Sequence, residues 1–368
     1  MQLPQIDNYP ELFLNDIPLM DVRAPVEFGQ GAFPGAANLP LLNDDERHQI
    51  GLRYAEQGQE HAVALGYELV SHDIKTRRVE DWAGFIEQHP GGALYCFRGG
   101  MRSKIVQQWI YEATGVAYPR IEGGYKALRR FLLNEFEVTA RQIQPLVVGG
   151  RTGVGKTLLL NRVRQSVDLE GLYHHRGSAF GNRLTPQPSQ IDIENALAIA
   201  LLKLHHRNID RLLVEDEARN IGSRSIPEPL YDVLQQAPLL LLEAELDQRV
   251  DIVFQEYITD ALAEYQSHLG EDEGFARWAE ELEMSLDKIQ RRLGGARHKV
   301  LKAVMQSALR TQRSSGDATQ HREWIRTLLE NYYDPMYDYQ LGKKSERVVF
   351  RGNTQALLEY LRHHYAIA

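Results

Sequence analysis

The chain has 368 residues, 43% hydrophobic and 25% charged, with a formal net charge of −8. That length points to two domains with ample core, and the negative balance argues against nucleic acid binding spread over the whole surface. One cysteine excludes an internal disulfide and a cysteine-rich zinc site, and without a signal-like start or an apolar run of about 20 residues the expectation is a cytoplasmic, non-membrane protein.

In chain order, "IPLMDVR" reads as an apolar strand and "GAFPGAANLPL" as a Gly/Pro-punctuated loop with a short strand. Residues 44–70 and 75–88 carry apolar residues three and four apart, which predicts helices. "GALYCF" is a buried strand, "RSKIVQQWIYEATG" an amphipathic helix stopped at Gly115, and "VAYPRIEGGYKALRRFLLNEF" a strand, a Gly-Gly turn and a helix. A second cycle begins at "QPLVVGG", with strands expected at 145–149, 211–215, 238–242 and 347–350. The stretch 247–333 is helical in pattern and too long for a simple crossover, so it reads as an inserted helical subdomain. Alternating strand and helix predict an α/β fold with parallel sheets in both halves. The expected domains are 1–135 and 136–368, with no Gly/Ser-rich linker between them.

The stretch "YCFRGGMRSK" puts Cys96 between a buried strand and a helix. Backbone N–H groups of residues 97–103, including those of Gly99 and Gly100, would turn inward, and Arg98 and Arg102 would add positive charge. Together they would favour an exposed thiolate, and the same cradle would take a persulfide, a perselenide or a phosphate-like oxyanion.

"LVVGGRTGVGKTLLLNRV" contains the pattern of a phosphate-binding loop: Gly150, Arg151, Thr152, Gly153, Val154, Gly155, Lys156 and Thr157. The glycines let amides wrap a diphosphate, Lys156 adds a point charge, and the Thr157 hydroxyl suits Mg²⁺. "RLLVEDEAR" ends a strand in acids, of which Asp216, with Glu215 equally placed, is the expected second partner of that metal. The loop identifies a diphosphate or triphosphate, neither a nucleotide nor hydrolysis, and no tightly bound organic cofactor is expected. Two further features suggest phosphate or nucleic acid contacts: His175, Arg176 and Ser178 in "HHRGSAFGN", and the acid-free stretch 288–313, where Arg291, Arg292, Arg297 and Lys299 are candidates.

Residues 16–130 resemble a rhodanese domain, through "DVRAPVEFGQGAFPGAANLPL", the position of Cys96 and "IEGGYKALR". Five residues separate Cys96 from Arg102, one more than in the common rhodanese loop; this spacing is similar to that of cysteine phosphatases, so the cradled species stays open. A rhodanese-like domain ahead of a phosphate-loop domain resembles the tRNA 2-selenouridine synthases. The likeness covers "NDDERHQIGLRYAEQGQEHAVALGYELV", "YCFRGGMRS", "GGRTGVGKT", "HRGSAFG" and "VEDEARNIG". It implies a substrate tRNA carrying 2-thiouridine at the wobble position, geranyl diphosphate as alkyl donor and selenophosphate, from a supplying partner, as selenium source. It implies that Lys156 and the glycine loop grip the diphosphate, while Cys96, as a thiolate, attacks selenophosphate and carries selenium as a perselenide, the favoured role, or else helps bind selenophosphate. Two other readings remain: a nucleotide-dependent phosphotransferase paired with a cysteine phosphatase, and a persulfide carrier for tRNA thiolation.

Overall fold

The structure, a computed structural model, describes residues 3–367. It divides into two units: the chain up to Thr139 together with Ser189–Arg207, and Ala140–Pro188 together with the chain from Asn208 onward.

The first unit is built on five short strands: β1 (Gln5–Ile6), β2 (Leu19–Asp21), β3 (Ala37–Asn38), β4 (Ala93–Tyr95) and β5 (Arg120–Ile121). They pair in parallel in the order β1-β5-β4-β2-β3. Central β4 is buried throughout, as expected for an uninterrupted apolar run covered on both faces. Helix Asp44–Leu69 starts with a reciprocal Asn43/Glu46 capping box and is broken at Gly58, whose φ of 82° no ordinary helix contains. Helix Met101–Thr114 follows β4 and ends on Gly115 in the left-handed conformation. Its inner face joins Met20, Leu94, Trp82 and Tyr118 in one core.

One expectation is corrected here. Helix Gln190–His206 packs with the first unit, although it lies far beyond the expected cut at 135. Side-chain hydrogen bonds explain this: the Ala32 amide donates to Asp192 (2.7 Å), and Asn195 donates to the Ala32 carbonyl (2.7 Å). Arg129 reaches Asn195 at 2.8 Å and pairs with Glu194. The cut itself falls inside helix Gly124–Gln142, not in a linker.

The second unit holds β6 (Gln144–Gly149), β7 (Ser166–Val167), β8 (Arg211–Glu215), a small hairpin of β9 (Asn220–Ile221) and β10 (Arg224–Ser225), β11 (Leu239–Leu242) and β12 (Val348–Gly352). The parallel sheet runs β12-β11-β6-β8-β7. Between β11 and β12 the chain is helical from Leu246 to Gly342, longer than the expected 247–333, and forms its own core around Trp278, Leu286, Met305, Trp324 and Ile325. Two turns of this segment, Gln255–Asp260 and Leu329–Tyr333, are wound wide. Such insertions frequently mark functional sites. Among the described residues no helix is long and apolar enough to cross a membrane.

Candidate functional site

The cysteine loop, Cys96 to Ser103, leaves β4 and enters helix Met101–Thr114. Four of its carbonyls are engaged from behind. Tyr125 N donates to Cys96 O (2.9 Å), Lys126 N to Phe97 O (3.0 Å), Arg120 Nη1 to Gly99 O (2.6 Å) and Ser103 Oγ to Gly100 O (3.0 Å). Among the described residues, the amides of residues 97–103 donate to no backbone or side-chain acceptor. Seven consecutive free N–H groups beside a helix N-terminus make an anion cradle. The Gly-Gly turn permits this arrangement. Gly124 (φ 60°) lies against Cys96 O so closely that a Cβ would overlap it.

Two expectations for this loop change. Cys96 is only 3% exposed, with its Sγ 3.2 Å from Ser103 Oγ, so the thiol sits beneath the loop and is not presented on it. Arg98 is exposed and lies near the Phe97 ring, while Arg102 turns to Glu27 at 2.5 and 3.1 Å. Burial opposes the Arg102 charge, but the hydrogen bond and charge of Glu27, with a smaller contribution from Cys96, raise its pKa. In return, burial pushes the Glu27 carboxyl up, and Arg102, helped by the Ala24 amide and Arg47, more than reverses this, leaving it lowered. Amides therefore supply most of the cradle's positive potential. Glu27 and Ser103 carried no sequence signal; only tertiary packing brings them here.

In the second unit the glycine loop runs from β6 into helix Lys156–Leu160. Gly153 and Gly155 have φ of 80° and 83°, where a side chain would be strained. Gly150 touches the chain end of β11: a Cβ there would stand 2.6 Å from Leu242 O. The amides of Arg151, Thr152, Gly153, Gly155, Lys156 and Thr157 have no protein acceptor among the described residues. The outer side of the loop is latched by Arg249, which is 2% exposed. It donates to Thr152 O (2.9 Å) and forms a two-pronged pair with Asp334 (2.6 and 2.9 Å). The Arg151 side chain points to Asp338 (2.7 Å) instead of toward the loop's own concavity.

Opposite the loop stand Glu170, Arg176, Ser178, Glu256 and Tyr257, closing a cavity of about 70 Å³. Arg176 and Ser178, expected to contact phosphate or nucleic acid, line the phosphate-loop pocket. Arg176 pairs with Glu264 (3.5 Å) and Ser178 Oγ bonds Tyr257 Oη (2.9 Å). His175 is buried, its Nδ1 accepting from Gly177 N (3.1 Å), and burial lowers its pKa. It is therefore a structural residue, not a surface contact.

Lys156 faces a set of acids. Burial opposes its charge, but Glu217 (3.7 Å), Glu170, Glu215 and Asp216 hold its pKa above the ordinary lysine range. Burial raises Glu170 to about 8 and Glu215 to about 7, and raises Glu217 as well. Asp216 is occupied by Lys344 (2.7 and 2.9 Å). The acid that meets the Thr157 hydroxyl is Glu215, at 3.3 Å, not the favoured Asp216. Strand alternation explains this: neighbouring residues at the end of β8 point to opposite faces.

The basic stretch separates into two groups. Lys288, Lys302 and Arg313 pair with Glu281, Asp287 and Asp272. Arg291, Arg292, Arg297 and Lys299 are exposed and have no acidic partner among the described residues. They cluster around the Gly294–Gly295 turn.

A glycine loop between a buried strand and a helix, backed by a five-stranded parallel sheet, defines the second unit as a phosphate-loop α/β domain. A family model described as "tRNA 2-selenouridine synthase AAA domain" matches residues 143–367. Over the whole chain, the tRNA 2-selenouridine synthase of Pseudomonas fluorescens (strain Pf0-1) is 52% identical across 357 residues, covering 97% of both chains. Those of Marinobacter nauticus (48% over 359 residues, 98% of both) and Bordetella petrii (50% over 361, 98% of this chain and 96% of that one) are similarly close. The chain belongs to the tRNA 2-selenouridine synthase family.

Proposed function

We propose that this protein converts 2-thiouridine at the wobble position of tRNA to 2-selenouridine in two steps, each using one anion cradle. The observation that carries this reading is the presence of two separate sets of free backbone amides, one in each unit.

In the first step the glycine loop binds geranyl diphosphate. Lys156 and the free amides of residues 151–153 and 155–157 hold the diphosphate, and their charge grows in value as the allylic C–O bond breaks and electrons move onto the leaving group. Arg176 and Ser178 face the same pocket. Repulsion of the anion by the acids is reduced: burial raises the Glu170, Glu215 and Glu217 carboxyls above the ordinary range, and Lys344 neutralises Asp216. An aromatic slot lined by Phe180, Tyr257, Trp324 and Tyr333 adjoins this pocket through Thr152 and Ser178, and would open to take the chain's tail.

A magnesium ion fits here only in company. Thr157 and Glu215 would hold it, but among the described residues no group of three or more His, Cys, Asp or Glu could hold a metal. Diphosphate oxygens and water would have to complete its shell, and the ion would neutralise charge on the leaving group.

In the second step the cysteine-loop cradle binds selenophosphate. Burial of Cys96 favours a role beneath the bound anion over that of covalent carrier. Electron balance agrees, since selenium held as a perselenide would need a thiol reductant for release and Cys96 is the only cysteine. The unpaired Arg291, Arg292, Arg297 and Lys299 would grip tRNA phosphates.

The test is mass analysis of nucleosides after incubation with thiolated tRNA, geranyl diphosphate and selenophosphate. Lys156→Ala is expected to lose the geranylated nucleoside; Cys96→Ala is expected to keep it and lower selenium incorporation. Normal geranylation by Lys156→Ala would overturn the assignment of the glycine loop. Phosphate release from an aryl phosphate would favour the phosphatase reading.

A further inference from the structure

We propose that the apolar cavity between helices Asp44–Leu69 and Met101–Thr114 seats the ten-carbon group of the alkylated nucleoside during the selenium step. This inference rests on the two-step reading above. The cavity measures about 260 Å³ and is lined by Leu42, Ile50, Val63, Tyr67, Ile105 and Trp109, among others, with almost no polar atoms exposed in it.

Its size selects the occupant. A dry apolar cavity of about 150 Å³ takes up benzene, so 260 Å³ suits on the order of ten carbons and is small for a nucleoside. Its length agrees. The lining residues of the second helix run from Met101 to Trp109, about 12 Å at 1.5 Å per residue. An extended eight-carbon main chain spans about 9 Å at ordinary bond lengths.

Its position supplies the chemistry. Met101 and Arg102 line the cavity and are also the first residues of the helix whose free amides form the cysteine-loop cradle. A chain lying in the cavity would therefore place its sulfur, and the C2 carbon that bears it, at the cradle's edge. Around the cavity, Tyr54, Tyr67 and Met101 leave 59%, 50% and 43% of their surface exposed. Large apolar side chains clustered around an open cavity fit an apolar ligand that arrives attached to a larger molecule.

The step balances without an oxidant or reductant. Selenium of selenophosphate attacks C2, the C2–S bond breaks, and the geranyl thiolate leaves with the electron pair and takes a proton from solvent. Water then attacks phosphorus, the Se–P bond breaks, and phosphate and 2-selenouridine remain. The cavity accelerates this by holding the leaving group while the cradle holds the nucleophile.

The test fills the cavity from a position that tolerates it. Gly66 is helical, and a Cβ there would meet only Ile50 Cδ1, at 3.5 Å, so Gly66→Leu projects into the space without a backbone clash. Geranylthiol is the probe, with binding followed by ligand-observed NMR. It is expected to bind the full-length protein, and at least tenfold more weakly in Gly66→Leu. The variant should still make geranylated tRNA, accumulate it, and lose at least tenfold in selenium incorporation. Val63→Phe fills the same space from the neighbouring turn and should reproduce the result if Gly66→Leu melts early. Unchanged probe binding, or normal selenium incorporation by folded variants, overturns the proposal. If the wild type binds geranylthiol in a Gly66-dependent way but makes no geranylated nucleoside, the cavity stands as an apolar-ligand site and the two-step reading falls.

Discussion

Gly124 and Cys96 are locked together: a Cβ on the glycine would stand 2.2 Å from the cysteine's carbonyl oxygen, and the next amide, of Tyr125, donates to that oxygen at 2.9 Å. Because the amides just after the Gly-Gly turn satisfy the Cys96 and Phe97 carbonyls, the loop's amides are left to face the other way. Gly124→Ala should therefore damage the cradle and not the glycine loop. A side chain at φ 60° costs about 1–3 kcal/mol before the clash is counted. Denaturant unfolding should show at least that loss. Selenium incorporation should fall much further than geranylation, and equal losses of both would argue against separate cradles.

Lys156 supplies the fixed charge of the phosphate pocket. Removing one charge-stabilising group of this kind typically costs about 10²–10³ in kcat. Lys156→Ala should show a loss of that order in single-turnover geranyl transfer, while tRNA affinity measured by filter binding stays within about twofold.

The acids around Lys156 make stability depend on pH. Glu170 and Glu215 have folded-state pKa values near 8 and 7, above those of an unfolded chain. Between about pH 4.5 and 8 the folded protein retains protons that the unfolded chain has released. Their stabilising contribution is full below the unfolded pKa and is lost as pH rises through the folded values. The ligand-free protein should lose thermal stability from pH 5.5 to 8.5, and Glu215→Gln should flatten the lower part of that decline. A melting temperature that rises over this range would contradict the assignment.

Arg249 ties the helical segment to the glycine loop through Asp334 and the Thr152 carbonyl. Asp334→Asn leaves a buried guanidinium without its strongest partner, a change that costs about 3–5 kcal/mol in buried pairs. Arg151, 3.5 Å from the same carboxylate, loses a partner too. Unfolding experiments should show a drop of that size, together with a raised KM for geranyl diphosphate as the loop loosens.

The exposed basic cluster predicts a salt dependence. Replacing Arg291, Arg292, Arg297 and Lys299 with alanine should weaken tRNA binding. The slope of log K against log salt should flatten by about three units if all four meet phosphates. An unchanged slope would place the tRNA elsewhere.

Features encoded in neighbouring residues were legible from sequence. The strand-to-glycine-to-helix passages at Cys96 and at Gly150–Thr157 are local, because positive φ, free amides and apolar runs belong to consecutive residues. The parallel strands and the helical insertion followed from the same periodicities. What surrounds those loops was decided by packing. Glu27 captures Arg102 from 75 residues away, and Asp334 captures Arg249 from 85. Glu215 rather than Asp216 meets Thr157, since the pleat of β8 directs one inward and the other aside. The burial of Cys96 and the cavity beside it exist only once two helices close over the sheet. A side chain's identity is written in the chain, but its direction and its dielectric surroundings depend on contacts between residues distant in sequence.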